Sequence, residues 1–197
     1  MRERQRIIPG SYRRFLKSWL DDPFAVGAVA PSGRPLARMM TRELGSGDRV
    51  LEFGPGTGTL TREILARGVA ETDLFMLERC PGFADLLERD FPDATVMRGD
   101  ATVRQGGLAP HRGAIDFIIS GLPLVLFSRE QKFRMLRNGF RLLKASGAFY
   151  QFTYGGRCPI DRRQLERIGL EARCIGFIAL NMPPAFVYRI ARTGQQS

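Results

Sequence analysis

Apolar and polar positions change period along this chain in a regular order. Apolar runs of strand length cover Asp48–Phe53, Asp73–Glu78, Ala94–Arg98, Ile115–Ser120 and Ala148–Tyr154. Segments with helical spacing lie between them: Thr59–Arg67, Pro81–Phe91 and Arg129–Leu143, the last with Phe133, Leu136, Phe140 and Leu143 on one face. Ile160–Ile168 reads as a further helix. Two last strands, about Arg173–Leu180 and Ala185–Ile190, flank the turn Asn181-Met182-Pro183-Pro184. Strands alternating with helices predict an α/β fold, a parallel sheet covered on both faces. The closing strand-turn-strand predicts one antiparallel edge strand.

Length and composition narrow the class. A chain of 197 residues with 44% hydrophobic content makes one ordinary globular domain. No apolar run approaches the roughly 20 residues needed to span a bilayer. The basic N-terminus lacks the apolar core of a signal peptide. Cys80, Cys158 and Cys174 are scattered and form no CxxC pair, which argues against a metal site or a disulfide framework and for a reducing cytoplasm. The net charge of +10 predicts attraction to a polyanion, either nucleic acid or an anionic membrane surface.

The candidate chemistry starts at Val50-Leu51-Glu52-Phe53-Gly54-Pro55-Gly56-Thr57-Gly58, where an apolar strand ends in an acid and a glycine turn opens onto a helix. Glycines at 54, 56 and 58 leave no Cβ to block a ligand from the backbone, which suits an adenosyl cofactor lying across a strand end. A dinucleotide fingerprint needs its third glycine at position 59, which is Thr59. The Glu-x-Gly-x-Gly-x-Gly pattern instead resembles the first motif of S-adenosylmethionine (SAM) methyltransferases. Glu78, with Arg79 beside it, ends the second strand about 20 residues on, where an acid can accept from both ribose hydroxyls. Asp100, in Gly99-Asp100-Ala101 after the third strand, is placed to bond the adenine amine, with the Ala101 backbone alongside. Ser120-Gly121-Leu122-Pro123-Leu124 follows the fourth strand, where the reacting group should meet the sulfonium.

Nearly the whole chain resembles the soluble bacterial phospholipid N-methyltransferases, which convert phosphatidylethanolamine stepwise towards phosphatidylcholine using SAM. The most particular segments are Phe24-Ala25-Val26-Gly27-Ala28-Val29-Ala30-Pro31-Ser32 and Leu180-Asn181-Met182-Pro183-Pro184-Ala185-Phe186-Val187-Tyr188-Arg189. The resemblance implies a Rossmann-like, seven-stranded class I methyltransferase fold, with S-adenosylhomocysteine as product. It also implies that Pro31 and Ser32 close over the methionine end of SAM. Phe53 stands where leucine is more usual, an apolar exchange.

The N-terminus points to a membrane independently. Arg2, Arg4, Arg6, Arg13, Arg14 and Lys17 against Glu3 give +5 in the first 20 residues. From Ser11, positioned as an N-cap, Tyr12, Phe15, Leu16, Trp19 and Leu20 recur at helical spacing. A basic amphipathic helix with Trp, Phe and Leu suits a bilayer interface, with Arg13, Arg14, Phe15, Lys17 and Trp19 as its contacts. At roughly 1 kcal/mol per basic residue on anionic lipid, five net charges supply about 5 kcal/mol, a contribution that weakens in salt. The expected organisation is a membrane-binding helix at 1–22 and a catalytic domain at 23–197, on the cytoplasmic face of the inner membrane. A second basic stripe, Arg134, Arg137, Arg141 and Lys144, reads as a solvated helix face.

The chemistry implied is attack by the ethanolamine nitrogen on a methyl group. It needs in-line positioning, exclusion of water and prior loss of the amine proton. Tyr154, at the end of the fifth strand, is the candidate for orienting or deprotonating the amine. Tyr12, Phe127 and Tyr154 supply aromatic faces for the cationic head group, with Leu122 beside them. Arg157 or Arg189 is positioned for the lipid phosphate. His111 reads as a surface loop residue. The rival expectation is a ribosomal-RNA adenine N-methyltransferase, which has similar glycine and Gly-Asp-Ala motifs and suits a basic chain. That family carries an Asn-Leu-Pro-Tyr-like motif after the fourth strand. Ser120-Gly121-Leu122-Pro123-Leu124 has neither its amide nor its aromatic, so no nucleic-acid partner is expected. A catalytically silent lipid-binding module would not need Glu52, Glu78 and Asp100 together.

Overall fold

A computed structural model describes residues 33–179, 181 and 184–194. The predicted helix at 1–22 and the Pro31-Ser32 segment lie outside the described residues. So do Tyr12, Arg13, Arg14, Phe15, Lys17 and Trp19.

The chain alternates as α1 (Arg34–Met40), β1 (Val50–Phe53), α2 (Thr59–Ala66), β2 (Leu74–Glu78), α3 (Pro81–Asp90), β3 (Thr95–Arg98), β4 (Ile115–Ser120), α4 (Arg129–Leu142), β5 (Leu143–Thr153), α5 (Arg162–Glu166), β6 (Leu170–Ile178) and β7 (Ala185–Arg192). The seven strands form one sheet in the order β3-β2-β1-β4-β5-β7-β6. Strands β1 to β5 are parallel, and β7 is antiparallel to both β5 and β6. The fold is a Rossmann-like seven-stranded mixed sheet.

Two apolar layers explain why the central strands read as unbroken apolar runs. Leu36, Met40, Leu60, Ile64 and Leu87 pack α1, α2 and α3 on one face with Tyr150 and Phe152. Met135, Leu136, Leu142 and Leu165 pack α4 and α5 on the other with Phe53 and Phe149. All residues of β1 and β2 are buried, as parallel strands covered on both sides must be. Helix α4 begins on a capping box: Ser128 Oγ accepts from Gln131 N at 3.2 Å and Gln131 Oε1 accepts from Ser128 N at 2.8 Å.

The structure departs from expectation at three places. The antiparallel strand β7 sits one position in from the edge, which β6 occupies. Strand β7 pairs with β6 on one side and with β5 on the other. Strand β5 starts at Leu143, directly from α4, rather than at Ala148; Ile115 faces Leu143 and Phe117 faces Ala148, so residues 144–147 bulge. Lys144 Nζ to Asp116 Oδ1 at 2.7 Å pins that bulge. Helix α1 has no signal in the sequence, since the seven residues Arg34–Met40 after the Gly33 N-cap show too little periodicity.

Candidate functional site

The carboxyl ends of β1, β2, β3 and β4 are continued by glycines and acids rather than by more strand. Gly54 N donates to Leu77 O at 3.0 Å, Gly99 N to Glu78 O at 2.9 Å and Gly121 N to Phe53 O at 2.8 Å. The ladder thus runs one residue past each strand end and sets the loops in register. Gly54, Gly56 and Gly58 have φ of +67°, +58° and +77°, which other residues adopt at a cost. A Cβ on Gly54 would lie 2.5 Å from Leu122 Cδ2, and one on Gly121 would lie 2.7 Å from Gly54 O. The β1 and β4 loops meet through the Gly121 backbone and the Leu122 side chain.

Three acids stand on this edge. Glu78 is 7% exposed; its Oε2 accepts from Gly56 N at 3.1 Å and its Oε1 from Cys80 N at 2.8 Å. Asp100 Oδ1 accepts from Thr102 N and Thr102 Oγ1, both at 2.7 Å. Glu52 lies fully buried beneath the glycine turn. Its Oε2 accepts from Thr61 Oγ1 at 2.7 Å, while Oε1 has no partner. Burial pushes the Glu52 carboxyl up to about 8, partly countered by the Thr61 hydrogen bond and reinforced by the nearby Glu78 carboxylate.

Glu52, Gly54, Gly56, Gly58, Glu78, Arg79, Gly99, Asp100, Ala101, Ser120 and Gly121 therefore share one edge of the sheet. Arg79 is exposed, Ala101 and Ser120 are buried, and Ala101 O accepts from Asn138 Nδ2 at 3.2 Å. These residues fit an adenosyl cofactor: the turn has positive φ at all three glycines, a Cβ at Gly54 or Gly58 would press on Leu122, Arg62 or Phe91, and a Glu52 carboxyl oxygen without a partner lies below it. The residues expected to face the acceptor follow along the same edge. Leu122 packs over Gly54, Phe127 is partly buried after the Leu124–Leu126 turn, and Tyr154 sits edge-on to Phe152 with centroids 5.2 Å apart. Arg157 is exposed in the loop after β5.

Arg189 is not brought to this edge. It lies four residues into β7, opposite Tyr150, roughly 13 Å below the carboxyl end at about 3.3 Å per residue. Its Nε donates to Glu43 Oε2 at 3.2 Å, and the Tyr150 hydroxyl donates to the same oxygen. The Arg189 charge is thus already answered by an acid that spacing along the chain could not pair with it. His111 stands at the amino end of the sheet, 3.3 Å from Arg49 Nη2 and tilted against the Phe75 ring.

Sequence reasoning missed two residues. Gln151 is fully buried on β5, in register with Ser120. Its Nε2 donates to Leu122 O at 2.9 Å and Phe152 O at 3.0 Å, and its Oε1 has no partner. An amide inside Phe149-Tyr150-Gln151-Phe152 was the available signal. Asn181, 3% exposed, accepts from Gly33 N at 3.1 Å through Oδ1, tying the segment that follows Ser32 to the β6–β7 turn.

Comparison with known proteins agrees with this geometry. The family described as a methyltransferase domain matches residues 50–147. The ornithine lipid N-methyltransferase of Singulisphaera acidiphila is 30% identical over 184 residues, covering 88% of this chain and 92% of that protein. Ribosomal RNA small subunit methyltransferase A of Novosphingobium aromaticivorans is 46% identical over 57 residues, only 28% of this chain and 21% of that protein. Among solved structures, the 1,6-didemethyltoxoflavin-N1-methyltransferase of Burkholderia thailandensis, with S-adenosylhomocysteine bound, superposes with a TM-score of 0.61 at 16% identity. That match covers 97% of this chain and 92% of the other.

Proposed function

We propose, from the premise that this chain belongs to the class I SAM-dependent methyltransferases, that its acceptor is the amine of phosphatidylethanolamine and of its mono- and dimethylated forms, giving phosphatidylcholine. The observation that carries a lipid acceptor is the match to a lipid N-methyltransferase along nearly the full length of both chains. The ribosomal-RNA relative matches over little more than a quarter of this chain. The same lipid relative favours a second reading, in which the amine belongs to an ornithine lipid. The proposed division of the chain is a membrane-binding helix at 1–22 and a catalytic domain at 23–197, peripheral to the cytoplasmic face of the inner membrane.

Bound SAM would supply a methyl group activated on a sulfonium. Gly54, Gly56 and Gly58 would hold it by backbone, Glu78 would take the ribose hydroxyls and Asp100 the adenine amine. Pro31 and Ser32 would close over the methionine end. The residues after β4 and β5 would govern the acceptor. Leu122 and Phe127 exclude water from the reacting nitrogen, and Tyr154 orients the amine through its hydroxyl or, as the phenolate, receives its proton. Aromatic faces of Tyr12, Phe127 and Tyr154 hold the increasingly cationic head group. Arg157 pairs with the phosphate. Phe177, 53% exposed and tilted against Phe186 with centroids 4.7 Å apart, offers apolar surface for the acyl region.

The test is methyl transfer from labelled SAM, in parallel, into phosphatidylethanolamine liposomes containing phosphatidylglycerol, into ornithine-lipid liposomes and into bulk RNA. Label in mono-, di- and trimethylated phosphatidylethanolamine, falling as salt rises, is the expected result. Label in ornithine lipid alone moves the acceptor to the second reading. Label in RNA alone overturns both.

A further inference from the structure

We propose that a cavity on the α4 face of the sheet binds a single-chain anionic amphiphile, a long-chain carboxylate or a lysophospholipid, and that its occupancy is coupled to cofactor binding. The cavity arises from the crossover between β3 and β4. The crossovers after β1, β2 and β4 carry the α-helices α2, α3 and α4. This one carries a 3-10 turn, Gly106–His111, with Pro110 inside it. So short a turn leaves a space of about 250 Å³ between itself, the sheet and α4.

The space has two chemistries. Phe53, Leu77, Ala101, Leu108 and Leu142, all buried, give it apolar walls. Arg104, Arg112 and Arg141 line it as well, and among the described residues none of their guanidinium groups makes a hydrogen bond or ion pair. The contrast with the rest of the basic stripe on α4 is sharp. Arg134 pairs with Glu130, Lys144 reaches Asp116, and Arg137 lies over the Phe133 ring. Three exposed guanidinium groups with no partner among the described residues, beside a space whose lining is part apolar and part polar, suit a ligand with an anionic head and a hydrocarbon tail. The fork of arginine matches carboxylate or phosphate oxygens, and the walls desolvate the chain. The volume falls below the roughly 300–1,000 Å³ of drug-sized sites, so it takes one chain and not the two of a bilayer phospholipid.

Coupling follows from what else touches the wall. Gln105 Nε2 donates to Asp100 O at 2.8 Å and to Val103 O at 3.1 Å, and Asn138 Nδ2 holds Ala101 O. Gln105, Asn138 and Ala101 all line the cavity. A tail lodged there bears on the loop that carries Asp100. Binding energy shared between the two sites must act equally in both directions. The coupling, though not the site itself, rests on the cofactor reading of Asp100.

Calorimetry on the full chain reads this without catalysis, with dodecanoate and lauroyl lysophosphatidylglycerol each below its micellar concentration. Expected are saturable binding at one site and a SAM dissociation constant that changes when the amphiphile is present, matched by the reciprocal change. The triple variant Arg104→Gln, Arg112→Gln, Arg141→Gln should weaken amphiphile binding about tenfold or more, since hydrogen bonds to charged groups contribute roughly 1.5–3 kcal/mol each. Ala109→Phe, which fills the cavity and leaves the charges in place, should do the same. The tighter of the two amphiphiles identifies the head group. Unchanged affinity in both variants, or equal binding of inorganic phosphate or of neutral dodecyl maltoside, overturns the site. Amphiphile binding that responds to the variants while SAM fails to bind keeps the site and counts against the cofactor reading instead.

Discussion

The backbone N–H of Gly56 donates to Glu78 Oε2 at 3.1 Å, so the acid that ends β2 holds the glycine turn that follows β1. One carboxylate therefore shapes the glycine turn, and in the proposed site its remaining lone pairs take the ribose hydroxyls. Glu78→Ala removes a charge-assisted bond worth roughly 1.5–3 kcal/mol. SAM affinity should fall about 10- to 100-fold in calorimetry. Vesicle sedimentation of the same variant should match the parent, because residues 1–22 carry the proposed membrane contact. Loss of both properties would mean that cofactor and membrane binding are not separate functions of the chain.

Gly121 and Gly54 differ in how a side chain could be tolerated. At Gly54 the obstructing atom is the mobile end of Leu122, although φ is +67°. At Gly121 a Cβ would meet the Gly54 carbonyl oxygen at 2.7 Å, and backbone cannot swing away. Gly121→Ala must push the β1 and β4 loops apart. The expected outcome is a melting temperature lowered by a few degrees, as about 1–3 kcal/mol of overpacking implies, with SAM binding lost. A variant that binds SAM normally would show that the two loops need not touch in the working enzyme.

The strands and the acids on their ends were legible in the chain because buried parallel strands impose long apolar runs and because glycine turns leave a fixed signature. What was not legible lies across the fold. Arg189, one of two candidates for the phosphate, pairs with Glu43, 146 residues away. Gln151 was hidden because an amide in an apolar strand gives no clue to the Leu122 carbonyl it meets. The bulge at residues 144–147 needed the pairing partner Asp116. Local periodicity reports burial; it does not report which charge or carbonyl waits on the neighbouring strand.

Glu52 makes a pH dependence. Burial raises its carboxyl from 4.5 to about 8, so between those values the folded chain holds a proton that the unfolded chain has released. Stability from this group is therefore full below about 4.5 and lost as pH rises towards 8. The gap in melting temperature between Glu52→Gln and the parent should widen from pH 5 to pH 8.5. A cationic cofactor nearby favours the ionised form, so SAM should bind the parent more tightly as pH rises towards 8. Glu52→Gln should bind with a flatter pH profile, and parallel profiles for the two proteins would place Glu52 out of the cofactor's reach.

The basic helix proposed at 1–22 should behave as an interfacial anchor. Trp19→Ala with Phe15→Ala removes its largest apolar groups and should reduce binding to phosphatidylglycerol vesicles. SAM affinity in solution should stay at the parent value. Raising salt should weaken the parent's vesicle binding. A double variant that sediments with vesicles as the parent does would assign the anchor elsewhere.

Tyr154 separates two ways of handling the acceptor amine. As a proton acceptor it works as the phenolate, and general-base contributions run to about 10²–10⁴-fold in rate. As a wall for a cationic head group it works through its ring, worth about 0.5–2 kcal/mol. Tyr154→Phe keeps the ring and its edge-on contact with Phe152. If the hydroxyl matters, kcat should drop by the larger factor and the pH–rate profile should lose its dependence on that group, with SAM affinity unchanged. If only the ring matters, Tyr154→Phe should resemble the parent, while Tyr154→Ala raises KM most for the dimethylated lipid, whose charge is the most delocalised over methyl groups. Measuring kcat and KM for each methylation state in both variants decides between them, and an unchanged Tyr154→Ala would remove Tyr154 from the acceptor site altogether.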